Sequence, residues 1–111
     1  MVSVTFVEDS RQRLSSFFAS GHVVIIETSS DEYSLVCAAV SVVLQAARAG
    51  LEQVARIPLQ VTMEKGEMHV SWPEASRDDV ATQAIVATAR AAIEQIATQY
   101  PAHVTSRRVT G

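Results

Sequence analysis

Two side chains in this 111-residue sequence have the chemistry of a nucleophile and its base: the single cysteine, Cys37, and the first of three histidines, His22. A thiolate attacks a carbonyl carbon readily, and an imidazole within hydrogen-bond reach takes the thiol proton and later delivers it to the leaving amine. Such a pair is the minimum apparatus for cysteine-dependent acyl transfer. The sequence therefore contains the residue types for this reaction, provided that the fold brings them together.

Cys37 falls in the first turn of a predicted amphipathic helix. Apolar residues recur there at three- and four-residue steps: Val36, Val40, Val43, Leu44, Ala47 and Leu51. The unpaired N–H groups of a first turn favour a thiolate and could hold the oxyanion that forms when it attacks. Ser34 is predicted to cap this helix by accepting from the amide of Cys37, and Gly50 to end it or loosen its last turn.

His22 follows Gly21 at the end of a predicted strand, where an imidazole can face the helix start across a sheet edge. Spacing alone also allows a purely structural interpretation of both residues. A lone cysteine in a helix is commonly a small core residue, and a histidine after glycine is commonly a turn residue.

His69 and His103 are predicted at surface or edge-strand positions. No His, Cys and carboxylate group has zinc spacing, so neither a metal nor a cofactor is predicted.

The elements around these residues are predicted from hydrophobic period and turn residues. Strands are expected at Val2–Phe6, Leu14–Ser20, Ile57–Met63 and Met68–Trp72, with a short β-branched run at Val23–Ile26 and a candidate edge strand over His103–Val109. A polar loop is expected over Glu27–Ser34, and a hairpin turn around Lys65 and Gly66. The aromatic pair in Phe17-Phe18-Ala19-Ser20 is interpreted as strand, with one ring in the core.

A second, longer helix is expected from Arg77 to about Gln99. Ser76 and Asp79 have the spacing of a capping box at its start, and Tyr100-Pro101 ends it. The order β-β-α-β-β-α with a candidate C-terminal edge strand predicts an α+β fold with two helices packed on one sheet. Residues 1–111 are interpreted as a single domain.

Composition narrows the class of protein. Hydrophobic residues make up 48% and charged residues 19%, which excludes a disordered chain, and a net charge of −3 argues against a nucleic-acid partner. One cysteine excludes an intrachain disulfide and a dithiol redox site. The start lacks a basic region, and the longest apolar run, Leu35–Leu44, is half the roughly twenty residues of a bilayer span. We therefore expect a cytoplasmic protein without a membrane segment.

The sequence resembles the ribosomal-processing cysteine protease family, Prp, in four short motifs, which occur in the same order and with similar spacing as in that family. They are Gly21-His22, the run Leu-Val-Cys-Ala-Ala-Val-Ser over 35–41, Gly50-Leu51-Glu52 and Tyr100-Pro101. The run around Cys37 after an upstream Gly-His is the most specific of the four. The resemblance spans nearly the whole chain.

The resemblance implies a homodimeric bacterial protease that removes the N-terminal extension of the large-subunit ribosomal protein number twenty-seven. It implies that Cys37 is the nucleophile, that His22 is the general base and acid, and that Ser41 helps to bind the substrate backbone. The loop at Glu27–Ser34 would correspond to the family's mobile loop, which orders over bound peptide.

Two departures from the family pattern matter. Val23 replaces an alanine, which is a small change, but Ser34 stands where the family has an aspartate three residues before the nucleophile. Serine retains the capping function but has no charge to place beside His22, so Asp31 or Glu32 would have to supply the carboxylate. The alternative is a non-catalytic dimeric adaptor that binds the extended ribosomal protein, or a ribosome-assembly partner, without cutting.

Overall fold

The computed structural model describes residues 1–21, the backbone of residues 32–34 and all atoms of residues 35–111. Its helices and strands are β1 (Val2–Glu8), β2 (Leu14–Ser20), α1 (Glu32–Gly50), β3 (Gln60–Glu64), β4 (Glu67–Ser71), α2 (Val80–Gln99) and β5 (Val104–Thr110). The predicted α+β order is confirmed. The β-branched run at Val23–Ile26 and residues 27–31 of the predicted loop lie outside the described residues.

The strands form one five-stranded sheet in the order β3-β4-β2-β1-β5. Among the described residues, all strand pairings are antiparallel except that between β1 and β5, which is parallel because α2 carries the chain back across the sheet. β5 is an edge strand, as predicted. The hairpin between β3 and β4 turns at Lys65 and Gly66, where Gly66 has a φ of +80° that suits glycine.

Both helices cover the same face of the sheet. Phe6 pairs with Phe17, and Phe17 with Val70, so three fully buried side chains lie side by side on this face. Because side chains alternate along a strand, Thr5, Phe18 and His69 form the corresponding row on the opposite, partly exposed face. Phe17 is therefore the ring in the core, in agreement with the interpretation of this aromatic pair as strand.

α1 begins two residues before the predicted cap and ends at Gly50. Ser34 is therefore the third residue of the helix and not its N-cap, so the capping prediction is wrong, and the last residues of the predicted loop are helical. Gly50 has ordinary helical angles and is the last residue of the α-helix, in agreement with the prediction that it ends the helix or loosens its last turn. A π-helical turn, Leu51–Ala55, follows it directly, and the chain leaves the helix at Arg56 with a φ of 56°.

The N-cap of α2 is Asp79 and not Ser76, so the predicted capping box is wrong. Ser76 belongs to a separate 3-10 turn, Glu74–Ser76, and Asp79 is the N-cap itself. The Asp79 carboxylate accepts from the Thr82 amide at 2.9 Å and from the Thr82 hydroxyl at 2.8 Å. The C-terminus of α2 agrees with the prediction, because the helix ends at Gln99, just before Tyr100-Pro101.

Candidate active site

Cys37 and Ser41 lie on the same face of α1, one helical turn apart, and both are buried in the protein core. Their exposed fractions are 3% and 2%. Residues four apart on an α-helix are neighbours along its surface, so the thiol and the hydroxyl share one environment. The neighbouring Val36 and Val40 are buried in the same core cluster. This face of α1 is therefore the face that packs toward the sheet.

The thiol lies further into the helix than expected. α1 begins at Glu32, so Cys37 is its sixth residue and lies in the second turn. The N–H groups without an intrahelical acceptor belong to the first four residues, 32–35. The prediction that Cys37 lies in the first turn is wrong, because the helix extends into a segment whose polar sequence predicted a loop.

Ser41 has a hydrogen-bond partner that the sequence analysis missed. Nε2 of Gln45 donates to Oγ of Ser41 at 2.8 Å. Gln45 lies one further turn along α1. The same i,i+4 spacing that makes Cys37 and Ser41 neighbours could therefore have predicted a contact between Ser41 and Gln45. Cys37, Ser41 and Gln45 thus occupy three successive turns, from the buried thiol to an exposed glutamine.

Gly21 controls where the chain leaves the sheet, one residue before His22. Its φ is +109°, and a β-carbon there would lie 2.8 Å from the carbonyl oxygen of Met1 and 3.1 Å from Cα of Val2. A side chain cannot fit at such distances without moving the backbone. The glycine of the Gly-His motif is therefore required by close contact between the end of β2 and the start of β1.

The structure brings together only some of the predicted site residues. Cys37 and Ser41 are adjacent, whereas His22 and Asp31 lie outside the described residues. Ser34 is described by its backbone alone, inside α1.

The other two histidines are separate from this helix face. His69 is exposed on β4, where its ring contacts Phe18 edge-on with 5.9 Å between centroids, and His103 is partly buried just before β5. The prediction of surface or edge positions holds for His69. Within the described part of the chain, no three His, Cys, Asp or Glu side chains form a group that could hold a metal ion.

The fold and this helix define a small α+β domain with its one thiol buried against the sheet. The model of the family described as cysteine protease Prp matches residues 1–105. The chain belongs to the Prp cysteine protease family, and the protein is accordingly a cysteine protease. This confirms the resemblance seen in the four sequence motifs.

Solved structures share the fold over essentially the whole chain. SMU.848 from Streptococcus mutans is 23% identical, with a TM-score of 0.88 and coverage of 100% of this chain and 99% of that one. The essential ribosomal processing protease Prp from S. aureus, in complex with a covalently linked product peptide, is 15% identical, with a TM-score of 0.82 and coverage of 97% and 99%. No curated protein matches the sequence.

Proposed function

We propose that this protein removes the N-terminal extension of the large-subunit ribosomal protein number twenty-seven, with Cys37 as nucleophile and His22 as general base and acid. The observation that carries the proposal is the position of Cys37 beside Ser41 on one face of α1, within a family match over residues 1–105. The S. aureus relative, an essential ribosomal processing protease, supports the choice of a ribosomal substrate. Such a substrate is made in the cytoplasm, where we place the enzyme.

Each half of the proposed reaction moves one proton onto the imidazole of His22 and off it again. His22 takes the proton from Sγ of Cys37, and the thiolate attacks the scissile carbonyl carbon to form a tetrahedral oxyanion. When the C–N bond breaks, the imidazolium of His22 gives its proton to the leaving amine, which leaves an acyl-enzyme. His22 then activates a water molecule, which cleaves the thioester and restores the thiol.

We assign the orientation of His22 to Asp31. Ser34 stands where the family has an aspartate, and a serine hydroxyl cannot balance the charge of an imidazolium. Asp31 is the residue directly before α1, and it is the nearest carboxylate in sequence to the helix on the His22 side. Asp31→Asn should therefore lower kcat, and full activity in this variant would show that no carboxylate is needed or that Glu32 supplies it.

We propose that the outer side of the two helices packs against a second copy of the chain in a homodimer. An apolar groove of about 540 Å³ runs between α1 and α2, lined by Val42, Ala46, Val54, Ala84, Thr88 and Ala92. Val42 is 64% and Val54 71% exposed. Apolar residues grouped in this way on a small protein mark an interaction surface, and a twofold dimer covers both grooves at once.

A membrane is the competing explanation for this apolar surface. Residues Leu35–Ala55 are long and apolar enough to cross a bilayer by length and composition. However, Val40, Leu44 and Leu51 on this segment are fully buried against the rest of the domain. A spanning helix would have to leave this core, so we propose that α1 is a core helix with one face in a dimer interface.

The decisive experiment is cleavage of a peptide that spans the extension and the first mature residues of ribosomal protein twenty-seven from the same organism. Wild type should cut one bond, and Cys37→Ala and His22→Ala should not. Cys37→Ala removes only a buried sulfur, so we expect it to lose no more than roughly 1–2 kcal/mol of stability. Urea unfolding of the variant provides the folding control.

The same peptide separates the protease from the non-catalytic adaptor. Ser34, in place of the family's aspartate, is the observation that favours the adaptor. Binding of the peptide by wild type and Cys37→Ala alike, with no cleavage by either, would establish the adaptor. Cleavage by Cys37→Ala would contradict the assignment of the nucleophile.

A further inference from the structure

We infer that Gln45 is a positioning residue for peptide cleavage, because its side-chain amide sets the direction in which the Ser41 hydroxyl donates. The inference rests on the proposed function and on the role that the family resemblance implies for Ser41, which is to help bind the substrate backbone. Gln45 touches neither the thiol nor, in this proposal, the peptide. It acts through the 2.8 Å hydrogen bond from its Nε2 to Oγ of Ser41.

The direction of this bond determines what the hydroxyl can still do. A serine hydroxyl has one hydrogen to donate and two lone pairs that accept. Because Gln45 donates, it occupies a lone pair of Ser41 and leaves the hydroxyl hydrogen free. That hydrogen must point away from the Gln45 amide, and Gln45 lies one turn toward the C-terminus of α1. The remaining directions include the turn that carries Cys37.

Simple satisfaction of a buried polar group does not explain the bond. A serine inside a helix can donate to the backbone carbonyl four residues earlier, which for Ser41 is the carbonyl of Cys37. Gln45 is exposed and its amide could bind water instead. Holding a long side chain in one conformation costs entropy, so the bond from an exposed glutamine to a serine residue that is only 2% exposed indicates a directional role.

The Ser41 hydroxyl, as a hydrogen-bond donor, indicates the kind of group that it would bind. A hydroxyl that donates on the Cys37 side is suited to a carbonyl oxygen, and a peptide backbone held over the thiol presents such oxygens. Without Gln45, the lone pair that it occupies is released, and the hydroxyl hydrogen can also turn toward the C-terminal side of α1, away from Cys37. Binding of the peptide would then lose one oriented donor, while the helix and its core stay as they are.

A double-mutant cycle on the cleavage reaction tests the inference. The variants are Gln45→Met, which keeps length and helix preference but cannot donate, Ser41→Ala, and the two together. We expect Gln45→Met to lower kcat/KM about fivefold to tenfold, as for one lost hydrogen bond. Ser41→Ala should lower it at least as much, and the double variant should be no worse than Ser41→Ala alone.

The matched control is Gln53→Met, since Gln53 is also exposed and lies on the π-helical turn that follows α1. This variant should cut at the wild-type rate, and all four variants should keep the wild-type thermal midpoint and oligomeric state. Gln45→Glu adds a second check, because a carboxylate accepts from Ser41 and turns its hydrogen away from Cys37. It should lower kcat/KM at least as much as Gln45→Met.

The outcomes distinguish this inference from the proposed function. If wild type cuts the peptide but Gln45→Met cuts equally well, the positioning role is wrong and the protease assignment stands. If the effects of Gln45→Met and Ser41→Ala multiply in the double variant, Gln45 does not act through Ser41. If wild type does not cut at all, the proposed function fails and this inference fails with it.

Discussion

A β-carbon on Gly21 would lie 2.8 Å from the carbonyl oxygen of Met1, closer than such atoms approach without movement of the backbone. The end of β2 and the start of β1 are thus held in contact at a residue with no side chain. Since His22 is the next residue, this contact sets the point from which the proposed base leaves the sheet. The first prediction follows from it.

Gly21→Ala should damage both stability and cleavage. A φ of +109° disfavours any residue with a β-carbon, and this strain alone costs about 1–3 kcal/mol. Relief of the contact with Met1 would also shift the chain at His22, so kcat should fall more than the loss of folded protein explains. Urea unfolding and peptide cleavage measure the two effects. Gly111→Ala is the control, because a β-carbon there makes only an ordinary 3.6 Å contact with Val7.

The turn between β1 and β2 should make folding stability sensitive to acid. Burial by itself raises the pKa of Asp9, but the backbone amides of Arg13 and Arg11 and the guanidinium groups of Arg13 and Arg77 all donate to its carboxylate. These hydrogen bonds prevail and hold the pKa of Asp9 at about 2, below its ordinary value of 3.8.

The folded protein therefore binds fewer protons at Asp9 than the unfolded chain does, and this contribution to stability is lost as pH falls from about 4 to about 2. Urea midpoints of wild type should exceed those of Asp9→Asn above this range, and the difference should shrink within it. Asp78→Asn, which removes an exposed carboxylate paired with Arg13, should show a much smaller difference. An equal pH dependence in Asp9→Asn and wild type would contradict the assignment.

Close packing of α1 on α2 should make a large residue at position 50 destabilising. A β-carbon on Gly50 would already lie 3.2 Å from Cγ2 of Ile85. Gly50→Leu should overpack this contact and lower the free energy of unfolding by about 1–3 kcal/mol. Adding Ile85→Ala should recover part of the loss, because it removes the atoms in conflict. Two losses that simply add would show that the two residues are not coupled.

Charge in the apolar groove should separate the proposed dimer. Val42→Glu and Val54→Glu should each give a monomer in sedimentation velocity at concentrations where wild type is a dimer, since a buried unpaired carboxylate is strongly unfavourable. Val80→Glu is the control: Val80 is 82% exposed but is not part of the groove. A monomeric wild type would contradict the proposed dimer, and dimers in both groove variants would place its interface elsewhere.

Local sequence patterns predicted the strands and helices correctly where hydrophobic residues recur at a regular period. Val4 and Phe6 alternate with polar neighbours, and Val36, Val40 and Leu44 recur at helical steps, so both elements were predictable from local period. Tyr100-Pro101 ended α2 for a local reason as well, since the ring of proline obstructs the preceding helix. The cap of α2 was not predictable, because Ser76 and Asp79 are both good caps and the 3-10 turn at Glu74–Ser76 excluded one of them.

The α+β order, the single thiol and its neighbour Ser41 one turn away could all be predicted from the sequence, because hydrophobic period and residue spacing act within a few residues of the chain. The close contact of Gly50 with Ile85, and the lack of room for a side chain at Gly21 beside Met1, were evident only in the folded structure. Those requirements arise between residues about twenty or more positions apart. Only packing of the folded chain brings their atoms within contact distance.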